Sequence, residues 1–245
     1  MRNWLRSYAL LMRWTLLQRR ADLPFMVAVQ LVISVGVVLG FSLLIPDLDS
    51  THALYLTTGS MTISLITVAI GTAPQTVAHQ KSQGVLDYQR AMPVPRTAVL
   101  AADTTIWVAI ALPGTVAALA VSALRFSLTL DITATLLPAV LLVAAASIGV
   151  GYFIAYAVKP TLVGIVTNIV LIGSLMFAPI NYPADRLPNW LAGVHEVLPF
   201  ASMAQVIRES VVAPPDGISA APFLLLTGWA VAGILLATWM MARRT

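Results

Sequence analysis

The chain has 245 residues, 59% of them hydrophobic and only 10% charged, with a formal net charge of +4. Soluble domains carry about 25% charged residues, so this deficit excludes a water-facing globule of such a size. With no cysteine, disulfides, thiolate metal sites and cysteine nucleophiles are excluded as well, and the basic excess suits a membrane edge better than nucleic acid.

In chain order, residues 1–24 come first. Trp4, Tyr8, Leu11, Met12 and Leu16 recur at helical spacing, with Arg2, Arg6 and Arg13 opposite. This pattern predicts an interfacial amphipathic helix, with Trp4 and Trp14 suited to the headgroup zone. Arginines throughout the segment argue against a signal peptide. Residues 25–245 then read as one transmembrane domain. A helix needs about 20 apolar residues to cross the hydrocarbon core. Six segments qualify: Phe25–Ile45, Ala53–Val77, Thr104–Ala123, Thr133–Ala157, Thr161–Ile180 and Ser219–Met241. None of them contains Asp, Glu, Lys, Arg or His.

Sorting the basic residues by side fixes the orientation. With a cytoplasmic N-terminus, only Arg125, Arg186 and Arg208 of the 14 Lys and Arg fall outside. Both termini are therefore expected in the cytoplasm, with 79–103 cytoplasmic and 181–218 external. The external stretch is divided by Pro183, Pro188 and Pro199. It predicts two short helices, 187–197 and 200–211, too short to span and suited to dip into or cap the outer side of the bundle.

Catalytic patterns are sparse. There is no Gly-x-Ser-x-Gly or His-Glu-x-x-His motif, His52, His79 and His195 are scattered, and no phosphate-loop sequence occurs. Ionisable residues inside spans, which ion-coupled carriers use, are missing. In the second span Ser60, Ser64 and Thr67 share one face. Together with Asn168 they are candidates for a polar strip along a substrate route, against the plainer reading of close helix packing. The segment from His79 to Arg96 is the natural handle for an outside motor. Gly84 permits a tight bend, Pro93 and Pro95 end any helix before them, and Asp87, Arg90 and Arg96 carry charge for a partner surface.

The order of elements resembles the membrane subunit of type-2 ATP-binding-cassette (ABC) exporters. Two motifs carry the likeness. One is Gly84-Val85-Leu86-Asp87 followed by Pro93 and Arg96. The other is Leu187-Pro188-Asn189-Trp190-Leu191, then Leu198-Pro199-Phe200 and Val206-Ile207-Arg208. No acid precedes Gly84, where the family often has one, and Asp103 stands near a common lysine position.

The resemblance implies an all-α integral membrane protein with six spans, an N-terminal interfacial helix and short external helices before the last span. It implies the transmembrane subunit of an ATP-driven exporter in a bacterial cytoplasmic membrane, with the route formed with a second permease copy or a similar permease. It also implies a coupling segment of Gln80, Gly84, Leu86, Asp87, Arg90, Pro93 and Arg96 docking on a soluble ATPase present in two copies. ATP and Mg would be bound by that partner, with no cofactor in this chain and no catalysis of its own. Pro188, Trp190, Pro199 and Arg208 are the corresponding external residues. The cargo is expected to be amphipathic or hydrophobic: a drug, lipid or glycolipid. The alternative is a nucleotide-independent secondary carrier, channel or membrane scaffold.

Overall fold

A computed structural model of the chain describes residues 2–44, 49–85, 94–127, 131–214 and 217–242. Among these residues the fold is all α-helical, and six helices are long and apolar enough to cross a membrane. The protein is thus a multi-pass membrane protein.

Helix α1 (Arg2–Arg19) precedes the first span, α2 (Leu23–Leu44). The second span runs from Ser50 to Ser82. It is composed of α3 (Ser50–Ile66), a π-helical turn (Thr67–Thr72) and α4 (Ala73–Ser82). Spans three to five are α5 (Arg96–Phe126), α6 (Leu136–Ala157) and α7 (Pro160–Phe177). Two short helices follow, α8 (Asn189–Val197) and α9 (Pro199–Val211), and then the last span, α10 (Ala220–Ala242).

The second span is the axis of the bundle and is mostly buried, whereas α7 is mostly exposed. Small residues let the helices close on it. A methyl at Gly114 would meet Gln30, Ser34 and Ser64, and Gly149 and Gly233 pack backbone to backbone where α6 crosses α10.

Two helices are longer than their apolar cores predict. The third span begins at Arg96, eight residues before the expected Thr104, so 96–103 is the first part of a span helix rather than loop. Pro95, extended at φ −62° and ψ 129°, starts it. The extra turns persist because α1 packs on them: Leu11, Ala98, Val99 and Ala102 are buried together. The second span likewise extends beyond Ala53–Val77 at both ends. Asp49 caps its start by accepting from the His52 backbone N–H at 2.7 Å. As a result, the helices that cross do carry ionisable residues near their ends, among them His52, Lys81, Arg96 and Asp103.

The short helices form a hairpin that enters the bundle from the face opposite α1. Leu198 alone joins them, at φ −72° and ψ 144°, and Pro199 opens the second. Near the elbow, Trp229 Nε1 donates to the Val197 carbonyl at 3.0 Å, and Ser147 Oγ donates to Met203 Sδ at 3.4 Å. Trp229 and Ser147 lie about 14 and 16 Å inside their spans at roughly 1.5 Å per residue, so the elbow reaches mid-span depth. The return limb ends where Thr133 N–H donates to the Ser210 carbonyl at 3.0 Å.

Candidate functional site

At the face that carries α1, the second span delivers the chain into the predicted coupling segment. Gln80 lies in the last turns of α4, and Gly84 follows it with a left-handed φ of +74°. That conformation suits glycine, and it bends the chain out of the helix. Leu86, Asp87, Arg90 and Pro93 lie outside the described residues. The chain re-enters description at Val94, and Arg96 begins α5 with an exposed side chain.

α1 is fastened to the helix that emerges from this segment. Its inner stripe is Trp4, Tyr8, Leu11, Thr15 and Arg19, at helical spacing. Trp4 Nε1 donates to Thr97 Oγ1 at 3.0 Å, and the Tyr8 and Thr105 hydroxyls share a hydrogen bond of 2.9 Å. The Trp4 and Tyr8 rings stack at 5.6 Å. Arg19 is buried, with its guanidinium 4.5 Å from the Trp107 ring centre, where cation–π attraction offsets part of the lost hydration. Asp103, one turn before Trp107, forms no ion pair with Arg19. The expected inner stripe included Leu16, which instead faces outward with Leu5, Leu10 and Leu17. The helix is therefore both an interfacial element and a strut bound to the third span. The positions of Thr15 and Arg19 on the same periodic stripe as Trp4 were the signal that sequence reasoning missed.

The candidates for a polar strip separate into two groups. Ser60 and Ser64 are buried inside one bundle. The Ser60 hydroxyl donates to the Leu56 carbonyl at 2.6 Å. Gln30 Nε2 donates to the Ser64 carbonyl at 2.7 Å and to its hydroxyl at 2.6 Å, while Ser34 Oγ donates to the Gln30 carbonyl at 2.8 Å. This knot ties the first two spans beside Gly114 of the third, whereas the Ser60 bond stays within its own helix. Thr67 opens the π-helical turn and lines a cleft with α2. Asn168 lies halfway along α7 with its side chain exposed.

On the opposite face, Arg208 closes the hairpin onto the second span. Its guanidinium lies 3.7 Å from the Tyr55 ring centre and donates to the Ile180 carbonyl at 2.9 Å. Burial pulls it down to about 10. Pro199 is buried at the elbow, while Pro188 and Trp190 are exposed at the start of α8. His195 is buried, the nearby Phe177 backbone lies outside hydrogen-bond geometry, and desolvation holds the imidazole below its ordinary range.

A six-span bundle with its second span buried as an axis, a strut on the third and a hairpin inserted from the far face has the form of a membrane permease subunit. The sequence model of the ABC-2 type transporter family matches residues 6–212, and the chain belongs to that family. It is the transmembrane component of an ABC transporter, not the catalytic one, and membership implies pairing with a cytoplasmic ABC ATPase subunit. No individual curated protein matches the chain closely enough to add to this assignment.

Proposed function

We propose that the chain is the permease of an ATP-driven exporter for amphipathic or hydrophobic cargo. Two copies, or one copy with a similar permease, enclose the route, and two soluble ATPase subunits bind ATP and Mg and dock on residues 79–96. Both termini then face the cytoplasm of a bacterial cell, in keeping with the excess of Lys and Arg on that side. The observation that carries the reading is the attachment of α1 to Thr97, Thr105 and Trp107. A displacement of the segment between Gly84 and Arg96 has the second span on one side of it. On the other side it has the third span, already braced by α1.

The second copy is supported by Asn168. An amide exposed at mid-span costs several kcal/mol against hydrocarbon, and polar groups at that depth belong against protein or water. The α7 face around it, with Ile165, Ile169 and Ile172 exposed, suits a partner helix or the wall of a route.

The test is co-purification of the tagged chain with an ATPase in stoichiometric amount, followed by assay of cargo-stimulated hydrolysis in Gly84→Pro and Asp87→Arg variants. Loss of stimulation with normal membrane insertion is the expected result. Full stimulation in both variants overturns docking at this segment.

A further inference from the structure

We infer that the cleft between α2, the π-helical turn and α5 is a binding site for an amphiphile with a protonated amine head. The cleft has a volume of about 330 Å³, at the lower end of small-ligand sites. Its walls are apolar, with Met26, Val29 and Ile33 of α2 facing Val68 and Ile110. It opens sideways past Phe25, which is 72% exposed, so a ligand already dissolved in the bilayer can enter without crossing water.

The polar groups define the head. Asp22 stands at the rim, where α2 begins at the α1 face of the bundle. Among the described residues, its neighbours Arg19 and Arg20 form no ion pair with it: Arg19 is turned into the bundle over Trp107, and Arg20 is exposed with no carboxylate partner there. Deeper in the cleft are Thr67, Thr72 and Gln30, whose amide Nε2 is already committed to Ser64. A threonine in an α-helix commonly donates to the carbonyl four residues back. In the π-helical turn the Val68 carbonyl accepts the Ala73 N–H, five residues on. Among the described residues, neither the Thr67 nor the Thr72 hydroxyl has a hydrogen-bond partner. No cationic side chain lines the cleft. A carboxylate, two unengaged hydroxyls and an apolar floor together favour a ligand with a cationic, hydrogen-bond-donating head and a single alkyl or ring-based tail. π-helical turns often mark functional positions, and here the turn presents Thr67 and Thr72 to the cleft.

The site requires only the permease chain, so its test is independent of transport. The full chain in phosphatidylcholine nanodiscs is irradiated with a diazirine-bearing dodecylamine, and the labelled peptides are mapped. Label is expected on 22–33, 67–72 and around Ile110, displaced by excess dodecylamine and not by dodecanol or dodecyl sulfate. Asp22→Asn removes the charge at nearly unchanged side-chain shape and should weaken labelling about tenfold, the loss expected for one charge-assisted hydrogen bond. Ile110→Trp, which fills the cleft, should abolish it. Melting temperatures of both variants guard against unfolding. Label spread over all lipid-facing spans, displacement by dodecanol equal to that by the amine, or unchanged labelling in folded Asp22→Asn overturns the site.

Discussion

Gly151 of α6 lies so close to Ala69 in the π-helical turn that a methyl group on it would overlap the Ala69 carbonyl oxygen. The contact is backbone against backbone, so neither side can yield by changing a rotamer. Gly151→Val is expected to cost about 3 kcal/mol or more, at the upper end of overpacking effects. It should appear as a large drop in melting temperature in detergent. Gly164→Ala on α7, where an added methyl meets nothing within 4 Å, serves as the control and should melt like the wild type.

The knot of Gln30, Ser34 and Ser64 yields a second expectation. Gln30→Leu removes two hydrogen bonds at mid-span and should lower stability by about 1 kcal/mol, the usual size for such bonds between spans. Since Ser64 is tied into this knot, Ser64→Ala should change stability slightly and leave cargo selectivity unaltered. A clear change in selectivity would return Ser64 to the route.

Asn168→Leu should leave the single chain as stable as the wild type, since the side chain touches solvent-facing space. If α7 meets a second copy or lines the route, the same change should alter dimer yield or transport severalfold, read by cross-linking in nanodiscs and by cargo flux. A chain that keeps both properties overturns the role given to this face.

His195 carries a pH dependence. Its folded-state pKa is lowered by burial, so the unfolded chain binds more protons and acid favours unfolding. Stability is retained above the unfolded-chain value of about 6.5 and declines as pH falls below it. Melting temperature between pH 7.5 and 5 should drop less in His195→Asn than in the wild type, provided the variant folds. Parallel curves would assign the acid sensitivity to other groups.

The spans were legible because twenty-residue apolar runs have few other uses in a chain so poor in charge. Their true ends were not. Residues 96–103 look like loop by hydropathy, and only the packing of Leu11 against Ala98 and Ala102 makes them helix. The two short helices were legible from Pro188 and Pro199, which punctuate the chain whatever surrounds it. The π-helical turn left no mark in composition, since Thr67 to Thr72 reads as ordinary span. The role of Arg19 depended on where α1 docks, a long-range fact that local pattern does not contain. The bend at Gly84 could be read because a left-handed backbone favours one residue type.

The fastening of α1 to α5 also sets an order of events during synthesis. The first helix emerges with Trp4, Tyr8 and Arg19 ready to bind, yet their counterparts at 97, 105 and 107 are translated only after two spans have been made. Until then α1 can rest only on the bilayer surface, and the newborn chain stays unlatched through roughly its first hundred residues. Truncation before Trp107 therefore leaves an N-terminal segment that a protease can reach, whereas a nascent chain extended past the third span should protect it.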